Sequence, residues 1–443
     1  MNRDAIESRI PYGGECYDVI VVGGGVAGFG AALASGMMGA KTLLLEAHNF
    51  LGGIASSSLW MPLNRMLLHG VPRGGVPAAL IEKLKSYGDV AWRIGKITRW
   101  ESDNIATQPE YLNLAMFELL EQYGCDYRLN SQVTGAIVDN GSVKKVQVAG
   151  KYGNEYFGAK VFIDCSGDGD LSYYAGAKTQ IGDDENGQTM PATLGFSLAN
   201  VDTEPLFEFY DGNSVEYEQK IHAIVEQADR DGYVVSNWYS FDRTTIPGIA
   251  SVNNGGWNHV KQISAEKVHD LTFLQRVGLK LAVDFVQVAK KYHIPGLENC
   301  YLDRVGAAVG IRETRVVTGD YVLQFEDVQQ GKTFDRPIAH RYGFYGRGIG
   351  GKRPPVKNGH EIPMEALFVK GLDDLMVAGR CGSFSHAALP AGKSMGNMMM
   401  IGQAAGIIAA LANRLNVLPR DVSYDAVIDG MHSIGVDTSN NDW

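Results

Sequence analysis

The sequence predicts an α/β fold built on a parallel sheet with a β-meander, interrupted by an inserted α+β domain. Three observations lead to this prediction. An apolar strand, a glycine turn, a helix and a second apolar strand follow one another over residues 17–46. A similar strand followed by glycines returns at 159–170, and a short strand with a long small-residue helix lies near the chain end. Because buried parallel strands read as continuous apolar runs, we expect these segments in one sheet.

The composition is that of a globular protein with a large core. The chain has 443 residues, of which 45% are hydrophobic and 20% are charged. Its 54 glycines exceed what an average usage of roughly 7% would give. The 15 prolines and the lack of a G-X-Y period exclude a collagen-like chain. The excess glycine is therefore expected at local sites, where the backbone takes positive φ or approaches another group closely.

Charge and cysteine usage exclude several classes of protein. The formal net charge of -10 argues against a nucleic-acid partner, which would need clustered lysines and arginines. The 5 cysteines are scattered, so no metal site, redox dithiol or disulfide framework is predicted. No signal peptide is visible, and no run reaches the ~18 apolar residues of a membrane span. We therefore expect a cytoplasmic protein without a membrane partner, and homo-oligomerisation stays open.

The first βαβ unit shows the clearest pattern in the chain. Tyr17–Val22 is predicted as a buried strand and Lys41–Glu46 as a second one, because both are short apolar runs. The segment between them is predicted as a helix over Val26–Met38, and Val26 and Ala27 in its first turn are predicted cofactor-binding residues. Strand, turn, helix and strand within about thirty residues form a βαβ unit.

The turn before this helix carries a G-x-G-x-x-G pattern in the context that dinucleotide binding requires. Gly23 allows the tight turn, Gly25 lets the backbone approach a pyrophosphate, and Gly28 lets the helix pack closely on the strand. The helix N-terminus offers N–H groups and a partial positive charge to phosphates. Glu46 ends the second strand, where a carboxylate accepts hydrogen bonds from ribose hydroxyls. These features together predict a dinucleotide site.

The middle of the chain is predicted as a helix, a meander and a mixed segment. Thr107 and Glu110 form a capping box ahead of an amphipathic helix that runs to Tyr123. Residues 126–163 alternate with turns as a β-meander and return in a strand over 159–164. A long helix is predicted over 264–293. Residues 331–363 are predicted as a basic loop, and the glycines at 343–359 are typical of a moving one.

Further glycine sites favour a flavin over a nicotinamide nucleotide. Gly52 and Gly53 follow Glu46 and suit the pyrophosphate and ribityl chain of a flavin. A strand at 375–379 and a helix at 394–415 would return to the same domain, and that helix N-terminus would stabilise the negative charge of a reduced flavin. The flavin-binding residues predicted in this part of the chain are Gly379, Arg380, Ser394 and Met395.

With these motifs the chain resembles the FAD-dependent oxidoreductases of the glutathione-reductase-like superfamily. The resemblance rests on DVIVVGGGVAGFGAALASGMMGAKTLLLE, VFIDCSGDGDL and LMVAGRCGS…GQAAG, and on an IRETR segment at Ile311–Arg315. It implies a Rossmann-type FAD-binding domain with FAD as the cofactor. It also implies that FAD is held by Gly23, Gly25, Gly28, Glu46, Gly53, Val133, Ser166, Gly167 and Gly379.

The domain organisation follows from where these motifs lie. We predict that residues 1–183 form the first part of the FAD-binding domain and that residues 361–443 complete it. Residues 184–360 between them are predicted as a substrate domain, because their texture is mixed and rich in aromatic residues. Four glycine clusters, at 23–28, 52–53, 167–169 and 379–396, would then converge on one extended dinucleotide.

Several absences narrow the predicted reaction. No second strand–G-x-G-x-x-G–helix unit lies between 130 and 375, so a pyridine-nucleotide domain is not predicted. We therefore predict hydride transfer between a small polar organic substrate and flavin N5, with a diffusible second electron acceptor or donor. The alternative is a flavin-dependent monooxygenase or halogenase of a small molecule, although AGRCGSFSHAALP departs from the flavin loop of aromatic hydroxylases. An RNA-modifying flavoprotein is a third hypothesis, which the acidic charge disfavours.

Such a reaction needs an acid or base near the flavin, and histidine is the usual supplier. His386 lies in the loop before the last long helix and His340 lies in a polar and aromatic loop, so both are catalytic candidates. The other interpretation of His386 is a structural residue or a flavin contact. Lys393 would lie near flavin N1 or cap a loop.

Two arginines in the IRETR segment are candidates for orienting the substrate. On a strand, Arg312 and Arg315 would point to opposite sides, and the one facing the cavity would hold a substrate carboxylate as a bidentate pair. The alternative is a buried Arg–Glu pair with Glu313 that stiffens the domain junction. No metal ligands are predicted.

Overall fold

A seven-stranded sheet forms the centre of the protein. The computed structural model describes residues 3–97, 104–183, 185–260, 263–341, 359–439 and 443. The path of the sheet is β8-β2-β1-β11-β10-β9, and β20 pairs with β11. Its strands are β1 (Cys16–Val22), β2 (Thr42–Leu45), β8 (Asp126–Arg128), β9 (Gln132–Asp139), β10 (Ser142–Gly150), β11 (Gly153–Asp164) and β20 (Leu375–Val377).

Strand β11 belongs to two pairing patterns at once. Its first half pairs antiparallel with β10, for example Val146 with Phe157, and so completes the meander. Its second half pairs parallel with β1 on one side and with β20 on the other, where Asp164 is opposite Val377. Because β2 and β8 extend the parallel pairing beyond β1, the predicted α/β fold with a parallel sheet and a β-meander is confirmed.

Two helices cross in direct backbone contact below this sheet, α2 (Val26–Met37) and α11 (Met395–Leu415). A Cβ at Gly402 would lie 2.0 Å from the carbonyl oxygen of Ala27, and one at Gly406 would lie 2.1 Å from that of Ala31. Small residues therefore bring the two helix backbones together. In the described part of the chain, α11 alone has the length and hydropathy of a membrane span, and that apolar window is wholly buried inside the protein.

A second sheet has its own core. Four strands pair in the order β14-β15-β13-β16: β13 (Phe196–Ala199), β14 (Tyr239–Arg243), β15 (Ala250–Asn254) and β16 (Tyr301–Val305). One face packs against α7 (Thr203–Asp211), α8 (Ser214–Arg230) and α9 (Val268–Lys291) in an apolar core that is rich in aromatic residues. The aromatic side chains of this segment are therefore mainly core, since Phe196, Tyr210, Phe241 and Phe285 are fully buried.

The remaining elements are short or connect the two sheets. The other helices are α1 (Arg3–Glu7), α3 (Ile54–Ser57), α4 (Val76–Lys85), α5 (Pro109–Gln122), α6 (Asp170–Tyr174), α10 (Phe325–Gln330) and α12 (Tyr424–Ser433). The other strands are β3 (Leu63–Asn64), β4 (Leu67–Leu68), β5 (Val71–Pro72), β6 (Trp92–Gly95), β7 (Asn104–Thr107), β12 (Thr179–Ile181), β17 (Arg315–Val317), β18 (Pro337–Arg341) and β19 (His360–Pro363).

Two local predictions differ from the structure. The capping box is wrong, because Thr107 ends β7 and Gln108 is the residue before α5. Pro109 takes the first helical position instead, since its fixed φ suits the start of a helix. The predicted basic loop at 331–363 contains the paired strands β18 and β19 at its ends. Most of it, including the moving loop expected at 343–359 except for Gly359, lies outside the described residues.

Asp164 at the end of β11 organises the loop that follows. Its Oδ1 accepts hydrogen bonds from the backbone N–H and hydroxyl of Ser166 at 3.1 and 2.7 Å. Its Oδ2 accepts from the backbone N–H and hydroxyl of Ser172 at 2.8 and 2.7 Å. Because the carboxylate is fully buried, it fixes the loop 166–172 against the sheet.

Replacing Asp164 by alanine is expected to destabilise the protein strongly. The change leaves buried donors without an acceptor, so we expect the free energy of unfolding to fall by about 3 kcal/mol, measured by urea denaturation. Asp335→Ala is the control, because Asp335 is exposed, and it should change stability by less than about 0.5 kcal/mol. Equal stabilities of the two variants would show that the Asp164 hydrogen bonds do not hold the loop.

Candidate functional site

The first glycine turn is packed on two sides and open on the third. Gly23 has φ +95°, and a Cβ there would lie 2.4 Å from the carbonyl oxygen of Cys165. A Cβ at Gly28 would lie 1.7 Å from the carbonyl oxygen of Gly23. At Gly25, by contrast, a Cβ would meet nothing within 4 Å. The turn therefore holds helix and strand together while leaving open space in front of Gly25.

The carboxylate of Glu46 lies beside this turn. Its Oε2 accepts a hydrogen bond from the Gly24 N–H at 2.5 Å, and its Oε1 lies 2.8 Å from Nδ1 of His48. The hydrogen bond to Glu46 outweighs partial burial and raises the pKa of His48. No side chain caps the N-terminus of α2, so its first N–H groups are directed to the same open space.

The second glycine pair lies directly against the first. Gly52 donates its N–H to the carbonyl oxygen of Gly24 at 2.8 Å, and a Cβ at Gly53 would lie 3.1 Å from Cα of Gly25. Helix α3 starts at the next residue. The hydroxyl oxygen of Ser56 in α3 is buried and has no hydrogen-bond partner among the described residues. The two predicted glycine sites thus form one continuous cradle.

The loop after β11 adds a charged cluster to the cradle. Arg380 contacts Oδ1 of Asp168 at 2.8 Å and donates to the hydroxyl of Thr314 at 2.8 Å. The Thr314 hydroxyl donates in turn to Asp168 at 2.7 Å. Burial would raise the pKa of Asp168, but Arg380 and the hydrogen bond from Thr314 lower it below its usual range. The guanidinium of Arg380 lies over Gly167, 2.7 Å from where a Cβ would be.

The remaining predicted cofactor residues lie around the same sheet edge. Val133 is buried in β9, and Ser166 is held by Asp164. A Cβ at Gly379 would lie 2.9 Å from Cβ of Ala27 in the first turn of α2. Ser394 precedes α11, and its hydroxyl oxygen is buried without a hydrogen-bond partner in the described residues. Met395 starts α11, and Val26 starts α2.

The second sheet turns a polar face toward the cradle. Register pairs Asp242 with Ser251, and alternation places Asn253 on the same side as Ser251. The Ser251 hydroxyl donates to the carbonyl oxygen of Leu59, just after α3, at 2.9 Å. Asp242 is 3% exposed, and burial raises its pKa to about 7. Because buried polar residues are unusual, their presence on the face opposite the apolar core marks this face as a candidate binding surface.

A buried carboxylate and a histidine meet between the cradle and this polar face. Oε1 of Glu313 lies 2.7 Å from Nδ1 of His386, and Oε2 accepts from the Met190 N–H at 2.8 Å. The Glu313 side chain is 0% exposed and that of His386 is 9% exposed. The expected buried pair of Glu313 with an arginine is therefore wrong, because the imidazole takes that place.

The side chains of Arg312 and Lys393 both contact the Met190–Pro191 segment, which adjoins this pair. Arg312 donates to the carbonyl oxygen of Pro191 at 2.6 Å and to Oδ1 of Asn253 at 3.3 Å. Nζ of Lys393 lies 3.3 Å from Sδ of Met190. Burial and the positive charge of Arg312, partly offset by Glu313, lower the pKa of Lys393 to about 7. Burial also lowers the pKa of Arg312, to about 10, so it stays charged at neutral pH.

The structure places the other two catalytic candidates elsewhere. Arg315 pairs with Asp170 and donates through Nε to the carbonyl oxygen of Asp168 at 2.7 Å, so it contacts the loop after β11. His340 lies in β18, 8% exposed, with Nε2 3.3 Å from Oε1 of Glu361. No described hydrogen bond or ion pair joins either residue to His386 or Arg312. In the described part of the chain, no group of three metal-ligating side chains is present.

Residue types alone did not single out several members of this site. Glu313 was expected beside an arginine, and Met190 and Asn253 carried no motif. The signal that could have found Glu313 is a lone acidic residue in an otherwise cationic segment that is predicted to be buried. Asn253 could have been found only from strand register, because its polar neighbours in β15 alternate with apolar residues.

The cradle fits FAD. The open space at Gly25, the uncapped N-terminus of α2 and the buried hydroxyls of Ser56 and Ser394 are features that a dinucleotide would satisfy. FAD would be held through its phosphates at the glycine cradle and through its ribose at Glu46. It would supply a two-electron redox centre to the adjoining cavity.

Comparison with known proteins agrees with this fit. A family described as FAD dependent oxidoreductase matches residues 18–431. Nicotine dehydrogenase from Pseudomonas putida is 61% identical over 41 residues, which is 9% of this chain and 8% of that protein. The match therefore spans only a small part of the curated relative.

Solved structures match most of this chain at low sequence identity. The myxobacterial chondrochloren halogenase has a TM-score of 0.50 and 14% identity, over 94% of this chain and 78% of that one. The geranylgeranyl bacteriochlorophyll reductase-like protein of Thermoplasma acidophilum has a TM-score of 0.48 and 17% identity, over 95% and 84% of the two chains. At its identity the halogenase shows the fold alone. Because the family match extends over almost the whole chain and the cradle fits its cofactor, the protein belongs to the FAD dependent oxidoreductase family, and its cofactor is FAD.

Proposed function

We propose that the protein transfers a hydride between a small polar organic substrate and N5 of FAD, with a diffusible second electron acceptor or donor. One observation carries this proposal. The segment 312–315 joins the two halves of the site, because Thr314 bonds to the cradle while the preceding residue, Glu313, bonds to His386. A titratable pair is thereby held next to the predicted cofactor site and beside the polar face of the second sheet.

The chain supplies the proton chemistry and the orientation. Glu313 accepts the Nδ1–H of His386, which leaves the lone pair on Nε2 in the neutral ring. When the substrate gives up a hydride, Nε2 takes the proton from its hydroxyl or amino group, and Glu313 stabilises the imidazolium that forms. Arg312, held by Pro191 and Asn253, orients the substrate.

The finer assignments belong to the same proposal. Membership of the glutathione-reductase-like superfamily is supported by the order of the parallel strands, and the division at 183 and 360 is supported by a separate core within 196–305. This core is smaller than the proposed substrate domain. Strand β12, which precedes residue 183, pairs with β17, which follows it, so this pairing joins the two proposed domains. A cytoplasmic location is supported by the 5 cysteines, none of which forms a disulfide.

The test is reduction of the bound flavin. Purified protein is expected to be yellow, with absorption near ~450 nm, and to be bleached anaerobically by a panel of small hydroxy and amino compounds. After photoreduction, added quinones or other diffusible acceptors should restore the oxidised spectrum. The control is Gly28→Ala, in which helix and strand clash, and which should not retain FAD.

Other outcomes would contradict the proposal. Oxygen-dependent product that carries labelled oxygen, or halide incorporated into product, would instead assign a monooxygenase or a halogenase. Specific retention of RNA on a filter would assign an RNA-modifying flavoprotein. Protein that folds but binds no FAD would remove the basis of all three.

A further inference from the structure

The residues around Glu313 and His386 carry more positive charge than the neighbouring carboxylate neutralises. Arg312 and Lys393 both contact the Met190–Pro191 segment, so two cations lie together. Among the described residues, no carboxylate pairs with Arg312, whose contacts are a carbonyl oxygen, an amide oxygen and the face of Trp238 at 5.9 Å. The one adjacent carboxylate, Glu313, is engaged by His386 and the Met190 N–H.

We propose that the substrate carries a carboxylate, which binds between the guanidinium of Arg312 and the ammonium of Lys393. This inference rests on the proposed function, because it assigns the substrate class of that same site. When Lys393 is protonated and His386 is neutral, two cations and one carboxylate leave a single positive charge, so a monoanion balances the site. Charges that are largely removed from water are costly unless they are paired, and a ligand carboxylate supplies the missing partner.

Geometry favours a carboxylate over other small anions. Arg312 uses one N–H of each terminal nitrogen for Pro191 and Asn253, and these bonds fix the guanidinium plane. Its remaining donors form a fork that matches the two oxygens of a carboxylate. Lys393 adds a point charge from the residue before Ser394, at the start of α11. The sequence predicts that Arg312 or Arg315 orients the substrate. The proposal keeps Arg312 in this role and adds Lys393 as a second cation.

The protonation state of Lys393 predicts a pH dependence. With a pKa near 7, lowered by burial and by Arg312, the ammonium is present below neutral pH and lost above it. Carboxylate affinity should therefore fall as pH rises through about 7, with proton uptake on binding that is near zero well below this pH and approaches one proton above it. The charged and titratable groups that face Lys393 are Arg312, Glu313 and, through Glu313, His386. Loss of this dependence in Lys393→Met would assign the proton to Lys393 and not to His386.

The experiment measures ligand binding to the FAD-loaded protein, without turnover. Benzoate and propionate are titrated against benzamide and propionamide, with sodium bromide and inorganic phosphate as further probes. Binding is followed by calorimetry and by the flavin difference spectrum. We expect at least one carboxylate to bind more than about 10-fold tighter than its amide, and tighter than bromide or phosphate.

Variants locate the binding site. Arg312→Met and Lys393→Met should each raise the carboxylate Kd about 10- to 100-fold, as expected for loss of a charge-assisted hydrogen bond. Arg304→Met is the matched control, because Arg304 is a half-exposed arginine paired with Glu110 on the surface, and it should leave Kd unchanged. Arg312→Met should also unfold at the same or a higher urea concentration, since it removes a partly buried charge that has no carboxylate partner among the described residues.

The outcomes separate this inference from the proposed function. If the wild type carries FAD and is reduced by neutral substrates but binds no carboxylate, the carboxylate inference is wrong and hydride transfer stands. Tighter binding of bromide or phosphate than of any carboxylate would also overturn it. If benzoate binds by calorimetry but no compound reduces the flavin, the anion site stands and the proposed function fails.

Discussion

A Gly25→Val variant is expected to fold normally and to lose FAD. Gly25 has φ -64° and ψ -178°, which valine adopts without strain, and a Cβ there meets no described atom within 4 Å. The side chain would fill the space that the pyrophosphate needs in front of α2. We expect FAD affinity to fall at least ~100-fold, because overpacking and lost phosphate hydrogen bonds together cost about 3 kcal/mol or more.

The neighbouring glycine provides the contrast. Gly28→Ala should destabilise the apoprotein itself, because its Cβ would lie 1.7 Å from the carbonyl oxygen of Gly23. In Gly25→Val the apoprotein should lose about 1 kcal/mol or less, measured by urea denaturation without FAD. Gly158→Ala is the control, since its Cβ makes only ordinary contacts at 3.4 Å in β11. Yellow, FAD-saturated Gly25→Val protein would show that the cofactor lies elsewhere.

A His386→Asn variant is expected to keep its flavin and lose its activity. Asparagine offers an N–H to Glu313 near the position of Nδ1, so the buried carboxylate stays paired, but it has no basic nitrogen. With the substrate found by flavin reduction, kcat should fall about 10²- to 10⁴-fold, the usual contribution of a general base. The flavin spectrum should keep its shape, and the benzoate Kd should change less than about 3-fold.

A surface histidine and the partner carboxylate complete this test. His259→Asn is the matched control, because His259 is half exposed and pairs with Asp229 on the surface, and its kcat should be unchanged. Glu313→Gln should lower kcat as well, since an amide does not stabilise the imidazolium. A His386→Asn enzyme with undiminished kcat would move the proton acceptor to another group, with Lys393 the nearest alternative.

Much of the FAD domain could be predicted because its signals are local. The strand, glycine turn and helix of residues 16–37 appear in the structure within one residue of their predicted bounds, and so does the helix at 395–415. Apolar runs and positive-φ glycines act through neighbours in the chain, so periodicity is enough to place them. Gly24 and Gly25 lie against Gly52 and Gly53 in one cradle, and the assignment of these and the other named residues to FAD stays a prediction.

Some glycines have a role that neighbouring residues in the sequence do not reveal. The sequence predicts that the excess glycines lie where the backbone contacts the dinucleotide, and the turn from Gly23 to Gly28 fits that prediction. Yet Gly30, Gly402 and Gly406 are needed for the contact of α2 with α11, which joins segments almost four hundred residues apart in the chain. Such a contact leaves no periodic trace beyond a run of small residues.

The sequence by itself determined the α/β class, the first βαβ unit and the chemistry of the cradle, because each depends on the order of nearby residues. Only the tertiary structure decided which side chains of the candidate site contact one another. Glu313 meets His386, and Arg312 and Lys393 meet at Met190–Pro191, across separations of 73 and more residues. Burial strips these groups of water, so their charges and proton affinities are set by neighbours that only the folded chain brings together.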